Sequence, residues 1–319
     1  MSAQNEHVFS ADSTPDTALS GVFPIAPTPF REDESIDFAG QERVIEFLID
    51  AGVDGICILA NYSEQFALTD DERSHLQTAI LKQVAGRVPV IVTTSHYSTR
   101  IAVARSRRAQ DEGAAMVMLM PPYHGATLRV GDSLLGDYFA SIADQIDIPI
   151  MIQDAPMSGT PLGPDLLARF AREIPAVQYV KVESANAASK LKTLIDLAGD
   201  SLPGPFDGEE SITLIPDLEA GATGTMPSSA IPEVLGEIVR DWLSGNRDRA
   251  IETWEAWLPM IHFENRQCNL RATKVLMMEG GIIASDRTRA PFGALPSQIR
   301  DGLLAHARRR DPLILRWAR

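Results

Sequence analysis

The most distinctive stretch of the sequence is a short apolar run, residues 178–183, that holds one lysine and one carboxylate. Its β-branched and aromatic residues predict a buried strand. Side chains alternate along a strand, so Lys181 and Glu183 are expected on one face of it. A buried ammonium group loses its hydration unless it pairs with an opposite charge or gives up its proton. The run therefore indicates either a structural ion pair or an amine nucleophile beside its acid/base partner, and these residues alone leave both open.

Eight short apolar runs, each followed by a loop and most by an amphipathic stretch, precede a region that reads as helices only. Uniformly apolar runs of this kind predict parallel strands covered by helices. Eight such units are the number that closes into a TIM barrel. An open doubly wound sheet is the alternative, but it usually carries a glycine-rich turn after its first strand, and residues 27–30 do not form one. We therefore predict an α/β fold, a (β/α)8 TIM barrel over residues 21–243.

The segments on either side of the predicted barrel differ from it in pattern. Residues 1–20 are polar and lack the apolar region of a signal peptide, so they are interpreted as a flexible N-terminal extension. Residues 244–319 show helical patterns only, at 248–262, 264–279 and 298–307. We predict a C-terminal helical region that packs on the barrel or on a neighbouring subunit.

The charge and hydrophobicity of the sequence argue against nucleic-acid and membrane partners. The net charge is −14, and the basic clusters at residues 105–108 and 308–310 lie in helical patterns, so no nucleic-acid partner is expected. No apolar run has the length of a membrane span, so no membrane partner is expected. Cys57 and Cys268 are far apart and without metal-ligand spacing, which suits a reducing cytoplasm.

The active site of a TIM barrel lies at the C-terminal ends of the strands. The sequence places there one lysine, carboxylates, imidazoles and several amide and hydroxyl groups. The candidates beside Lys181 and Glu183 are Asn61, Tyr62, Ser63, His96, Tyr123, His124, Gln153, Met226 and Ser228, together with the acidic segment at residues 207–210. These residues form no convincing cluster of metal ligands, and no phosphate loop or Ser-His-Asp elbow occurs. Neither a metal nor a cofactor is expected.

This set of groups suits Schiff-base chemistry on a carbonyl substrate. A desolvated amine attacks a ketone, and the resulting iminium withdraws electrons so that the adjacent carbon can lose a proton. Asn61, Tyr62 and Ser63 stand shortly before a helix whose start is marked by the capping box of Thr69 and Glu72. Backbone N–H groups near such a helix are available to a substrate carboxylate, although ordinary helix capping explains the same residues.

Motifs spread from residue 21 to residue 319 resemble the dihydrodipicolinate synthase/N-acetylneuraminate lyase family. They are Gly-Val-Phe-Pro-Ile-Ala-Pro-Thr-Pro-Phe at 21–30, the loop at 59–68, Pro-Pro-Tyr at 121–123, Lys181, and Gly-Ala-Thr-Gly at 221–224. The resemblance implies a TIM barrel of the class I aldolase type, commonly tetrameric, whose barrel lysine forms a Schiff base with a 2-oxo acid. By position, Lys181 is that lysine, and residues 60–64 correspond to the family's carboxylate-binding loop.

The chain departs from the family where a tyrosine shuttles protons in aldol chemistry. Gln153 occupies that position, and an amide cannot transfer protons as a phenol does. His124 stands where many members carry a second tyrosine. Four motifs resemble instead the subgroup of L-2-keto-3-deoxyarabonate dehydratases: Asn-Tyr-Ser-Glu-Gln-Phe at 61–66, Pro-Pro-Tyr-His-Gly-Ala at 121–126, Gln-Asp-Ala-Pro at 153–156 and Gly-Gly-Ile-Ile at 280–283.

The resemblance implies a cytoplasmic, homotetrameric dehydratase of a 2-keto-3-deoxy sugar acid. Lys181 is expected to condense with the C2 ketone, and Glu183 to remove a C3 proton and to help protonate the departing C4 hydroxyl. Gln153 is expected to orient substrate hydroxyls. No other acidic residue shares the face of the strand on which Glu183 lies, and His96 or an ordered water is the alternative base. A pyruvate-releasing aldolase and a sugar-acid-binding regulator on an inactive barrel are the alternative functions.

Overall fold

The computed structural model describes residues 18–123 and 130–319, in which eight parallel strands form a barrel surrounded by helices. The strands are β1 (Gly21–Val22), β2 (Ile56–Ile58), β3 (Val90–Thr93), β4 (Met116–Leu119), β5 (Ile150–Asp154), β6 (Val177–Val182), β7 (Gly204–Asp207) and β8 (Gly224–Thr225). The helices of the barrel are α1 (Phe38–Asp50), α2 (Asp70–Val84), α3 (Thr99–Asp111), α4 (Asp132–Ala143), α5 (Pro164–Glu173), α6 (Ala187–Ala198), α7 (Leu214–Ala220) and α8 (Pro232–Leu243). Three further helices follow: α9 (Arg247–Phe263), α10 (Arg271–Glu279) and α11 (Ser297–Arg310).

The strands follow one another around the sheet in the order β1-β8-β7-β6-β5-β4-β3-β2. A parallel bridge between Ile25 and Cys57 joins the end of the first strand to β2 and closes the ring. Two backbone bonds hold this seam, from the Ala26 N–H to the Cys57 carbonyl and from the Cys57 N–H to the Pro24 carbonyl, each 2.9 Å long. The prediction of an eight-stranded TIM barrel is confirmed.

Two separate apolar clusters show which way the strand residues face. The barrel interior contains Phe23, Met151, Tyr179 and Phe206, among others, whereas Val180 belongs to the layer between strands and helices. Because side chains alternate along β6, Lys181 lies on the same side as Tyr179. Lys181 therefore points into the barrel, as its position in the sequence predicts.

Two element boundaries differ from the sequence prediction. The first of the eight apolar runs, residues 22–26, predicts a strand of that length. The regular ladder covers only Gly21–Val22, because Pro24 has no N–H to donate to a ladder. A helix was expected to run from residue 264, but Glu264–Cys268 forms a single π-helical turn and α10 begins at Arg271. Such turns occur mostly as local widenings of α-helices and often at functional sites.

The predicted start of α2 is confirmed. The Thr69 hydroxyl accepts a bond from the Glu72 N–H at 3.2 Å, and the Glu72 carboxylate accepts one from the Thr69 N–H at 2.9 Å. This capping box fixes the end of the loop that leaves β2. Among the helices that the structure describes, none is long and apolar enough to cross a membrane.

Candidate active site

A cavity of about 210 Å³ opens at the C-terminal ends of the strands, where a TIM barrel has its active site. Its walls carry a lysine, three carboxyl groups, amides and one guanidinium group. The lining side chains include Asn61, Tyr62, Gln153, Lys181, Glu183, Glu209, Glu210, Asn265 and Arg266. The volume is below that of pockets for drug-sized ligands, and the polar lining suits a small polar acid.

Lys181 and Glu183 form a close ion pair at the base of this cavity. The distance from Lys181 Nζ to Glu183 Oε1 is 2.7 Å, and the lysine side chain is 1% exposed against 16% for the glutamate. Burial alone would lower the pKa of Lys181, but the neighbouring carboxylates, with Glu183 first, raise it above its ordinary value. The neighbouring carboxylates thus favour the ammonium form of Lys181, and the ion pair that the sequence left open is present. Transfer of a proton to Glu183 would free the amine for attack.

Gln153 lies beside this pair on the neighbouring strand. Its Cα is in register with that of Lys181, and its Nε2 donates a hydrogen bond of 2.7 Å to Glu183 Oε1. Hydrogen bonds to a charged group are stronger than those between neutral groups, so Gln153 fixes the carboxylate in place. Its own Oε1 is buried and has no partner among the described residues, which leaves an acceptor for a substrate hydroxyl.

Gly208, at the end of β7, lets the chain pass close to the ion pair. A Cβ atom at this position would lie 2.6 Å from Glu183 Cγ and 2.8 Å from Lys181 Cγ, which is closer than carbon atoms can approach. A side chain here would therefore displace Lys181 or Glu183.

The loop after β2 brings Asn61 and Tyr62 to the cavity in a short 3-10 turn, Asn61–Ser63. Its N-terminal amides have no partners within the turn and are available to an anion. Ser63 does not line the cavity, because its hydroxyl donates to the Ala26 carbonyl at 2.7 Å and accepts from the Ala60 N–H at 3.2 Å. Ser63 thus holds the loop against the first strand rather than facing a ligand.

The remaining predicted site residues do not meet in this cavity. His96 and Tyr123 line a different cavity, and His96 Nδ1 accepts a bond from the Ser98 N–H at 2.9 Å. Burial is the main cause of the lowered pKa of His96. Met226 is part of the barrel interior, and His124 lies outside the described residues.

Ser228 is buried and ties the barrel to the C-terminal region. Its hydroxyl donates to the carboxyl group of Glu264, and Glu264 is the first residue of the π-helical turn. Burial raises the pKa of Glu264 to about 7, and the Ser228 hydroxyl opposes part of that shift. This contact fixes the turn that carries Asn265 and Arg266 over the cavity.

A second buried ion pair anchors the loop that carries Asn61 and Tyr62. Glu64, which has a positive φ of 58°, ends the 3-10 turn, and its carboxylate accepts a bond from the Lys274 ammonium. Both side chains are fully buried. Lys274 also donates to the Arg287 carbonyl at 3.0 Å, and the Arg289 N–H donates to Glu64 at 2.9 Å. Helix α10 and the segment after it thus hold the loop in its strained conformation.

Removing Lys274 is expected to destabilise the protein severely. Lys274→Met keeps the volume but leaves the Glu64 carboxylate buried without its cation, at a cost of about 3–5 kcal/mol. Urea unfolding followed by circular dichroism measures this loss. The matched control is Lys192→Met, because Lys192 pairs with Asp196 at the surface and both side chains are 59% exposed. Equal midpoints for the two variants would contradict an anchoring role for Lys274.

Sequence reasoning missed several cavity residues. It noted residues 207–210 at a strand end but gave Glu209 and Glu210 no role, and the structure places both in the cavity with Glu183. It also gave no role to Asn265 and Arg266, which reach the cavity from the π-helical turn. The Tyr62 hydroxyl meets Asn265 Oδ1 at 3.4 Å. No periodic signal marks such a turn, although the polar run at residues 264–269 is the one hint in the sequence.

This chain is similar to known proteins both in sequence and in fold. The model of the dihydrodipicolinate synthetase family matches residues 18–309. An L-2-keto-3-deoxyarabonate dehydratase from Azospirillum brasilense is 56% identical over 310 residues, which are 97% of this chain and 100% of the relative. A 4-hydroxy-tetrahydrodipicolinate synthase from Methanothrix thermoacetophila is 30% identical over 244 residues, 76% of this chain and 80% of the relative. The solved dihydrodipicolinate synthase from Rhodopseudomonas palustris has a TM-score of 0.82 at 28% identity and covers 91% of this chain and 97% of its own.

Proposed function

This chain belongs to the dihydrodipicolinate synthetase family, and we propose that it acts there as a Schiff-base-forming hydro-lyase that converts L-2-keto-3-deoxyarabonate to 2-oxoglutarate semialdehyde. The observation that carries the proposal is the arrangement of Lys181, Glu183 and Gln153. An amine and a carboxylate stand 2.7 Å apart, and an amide that cannot shuttle protons binds the same carboxylate. The likeness along nearly the whole chain to a dehydratase of that name supports the choice of substrate.

The first half of the reaction makes the iminium. Glu183 takes a proton from the Lys181 ammonium, and the free amine attacks the C2 ketone of the substrate. The proton held by Glu183 then assists the loss of the C2 oxygen as water. Glu183 is again a carboxylate when the iminium is complete, and it lies beside the carbon next to the iminium.

The second half is an elimination. Glu183 removes a proton from C3, because the iminium draws away the electrons left on that carbon, and the C4 hydroxyl departs. The substrate carboxylate is bound at the 3-10 turn by the amides of Asn61 and Tyr62. Gln153 Oε1 accepts a hydrogen bond from a substrate hydroxyl, while Gln153 Nε2 holds Glu183 in position.

Location and assembly are part of the same proposal. The two cysteines are both buried and unpaired, which suits a reducing cytoplasm. A homotetramer is the assembly that the family resemblance implies. Sedimentation of the purified protein would test it directly.

The product distinguishes this function from its alternatives. Incubation with L-2-keto-3-deoxyarabonate should yield the semialdehyde, seen by its aldehyde signal in nuclear magnetic resonance spectra, and little pyruvate in a lactate-dehydrogenase-coupled assay. Dehydration is expected because position 153 carries no proton-transferring phenol. Stoichiometric pyruvate would show an aldolase. Binding of the sugar acid without any conversion would show a regulator.

A further inference from the structure

The active-site cavity contains a carboxyl group, that of Glu210, which the proposed reaction has not used. Glu210 lines the cavity together with Lys181 and Glu183. Its Oε2 atom is inaccessible to solvent and has no hydrogen-bond partner among the residues that the structure describes. A buried polar atom without a partner is rare in folded proteins, and a ligand is one thing that satisfies it.

The backbone that presents Glu210 is strained and firmly held. Glu210 and Ser211 both have positive φ values, 54° and 67°, which cost free energy in residues other than glycine. The Asp207 carboxylate holds this loop by accepting bonds from the Glu209 N–H at 3.0 Å and the Ser211 N–H at 3.1 Å. Trp254 of α9 adds a bond of 3.0 Å from its indole N–H to the Ser211 carbonyl. The fold thus maintains an unfavourable conformation that directs the Glu210 side chain toward the cavity.

Two of the three carboxyl groups of the cavity, those of Glu183 and Glu210, have opposite surroundings. Glu183 contacts the Lys181 ammonium and accepts a hydrogen bond from the Gln153 amide. Burial raises the pKa of Glu210 well above its usual range, even though the Lys181 ammonium opposes the shift. Burial therefore favours the protonated form of Glu210. One carboxyl group thus has charged and amide partners, whereas Glu210 Oε2 has none among the described residues, and groups in such different surroundings can divide the roles of base and acid.

We infer that Glu210 is the general acid that protonates the departing C4 hydroxyl, while Glu183 removes the C3 proton. This assignment rests on the proposed dehydratase function and replaces the expectation that Glu183 serves both steps. The C3–H bond breaks with its proton going to Glu183, and its electrons form the C3–C4 double bond. The C4–O bond breaks with its electrons going to oxygen, and the proton of Glu210 completes the water molecule.

The same two groups can complete the isomerisation to the semialdehyde. The Glu210 carboxylate accepts a proton from C5 of the unsaturated iminium, and Glu183 returns its proton to C3. Both groups are then restored to their starting states. The enol left between C4 and C5 takes a proton at C4 and loses one from its oxygen, which gives the aldehyde, and water releases the product from Lys181.

The test separates the departure of the leaving group from the steps before it. Glu210→Gln keeps the size of the side chain but supplies no acidic proton, so dehydration of L-2-keto-3-deoxyarabonate should fall about 10²–10⁴-fold. Exchange of the C3 protons of pyruvate with deuterated water should stay within a few-fold of the parent rate, which also shows that the site has folded. A substrate analogue with fluorine in place of the C4 hydroxyl needs no protonation, so the variant should eliminate fluoride at nearly the parent rate.

Two outcomes would overturn the role of Glu210: dehydration at the parent rate, or equal slowing of the hydroxyl and fluoro substrates. Glu219→Gln is the matched control, since Glu219 is an exposed residue of α7 that follows the same loop. A wrong dehydratase proposal would give a different result from a wrong role of Glu210. In that case the parent enzyme itself would exchange pyruvate protons but form no semialdehyde.

Discussion

Lys181→Met is expected to abolish turnover while the protein still folds. Methionine is unbranched like lysine, one atom shorter and close to it in volume, so most of the packing is kept, but it cannot form a Schiff base. Loss of a covalent nucleophile lowers turnover by a factor on the order of 10⁶. The Glu183 carboxylate left behind keeps its bond from Gln153 and is 16% exposed, so the fold tolerates the loss of its cation.

The measurement is kcat for semialdehyde formation, with circular dichroism to show that the variant is folded. Lys192→Met serves as the matched control, because the same substitution is made at a surface lysine of α6 that is 59% exposed. A folded Lys181→Met variant with activity near that of the parent would exclude covalent catalysis through this lysine and favour a non-covalent role for the site.

Glu183→Gln is expected to stop proton removal from C3, whereas the adduct should still form, although more slowly. Without the Glu183 charge, burial lowers the pKa of Lys181 and frees its amine. Glutamine keeps the shape and hydrogen bonding of the side chain but does not accept a proton, and a lost general base typically costs about 10²–10⁴-fold in rate. The variant should still trap pyruvate on Lys181 with borohydride. It should no longer exchange the C3 protons of pyruvate with deuterated water, which proton nuclear magnetic resonance follows directly.

The same variant should also change the pH dependence of trapping. Burial lowers the pKa of Lys181 and the Glu183 carboxylate raises it, so removal of that charge lets burial lower the pKa. The free amine is then present at lower pH, and trapping should extend to more acidic solutions than in the parent. The control is Glu219→Gln, because Glu219 is exposed at the surface. It should leave both the proton exchange and the pH dependence of trapping unchanged. Exchange at the parent rate in Glu183→Gln would mean that another group of the cavity or an ordered water is the base, since His96 lines a different cavity.

The centre of the site could be predicted because its determinants are local in the sequence. The alternation of side chains along residues 178–183 places Lys181 and Glu183 on one face, and the contact of 2.7 Å confirms that placement. The count of eight apolar runs predicts the barrel, since each run is buried on both sides and reads as a strand without any knowledge of its neighbours. The capping box at Thr69 is equally local, and it is confirmed.

The rest of the site depends on contacts between distant parts of the chain. Glu210 faces the cavity because Asp207 and Trp254 hold its loop. No pattern of side chains in the sequence predicts the two consecutive positive φ values of Glu210 and Ser211. Asn265 reaches the cavity through a π-helical turn where helical periodicity predicted an ordinary helix. Ser63 was predicted to bind the substrate because residues 60–64 correspond to the family's carboxylate-binding loop, but its hydroxyl donates to the Ala26 carbonyl instead. The roles assigned to the individual site residues stay predictions until they are measured.

The identity of the trapped intermediate tests the central claim most directly. The parent enzyme would be mixed with L-2-keto-3-deoxyarabonate, reduced with borohydride during turnover, digested, and analysed by peptide mass spectrometry. A Schiff-base dehydratase predicts a reduced five-carbon adduct on Lys181, part of it lighter by one water molecule, and no modification of Lys190 or Lys192. Unmodified Lys181 in a preparation that still forms the semialdehyde, or a three-carbon pyruvate adduct alone, would contradict it.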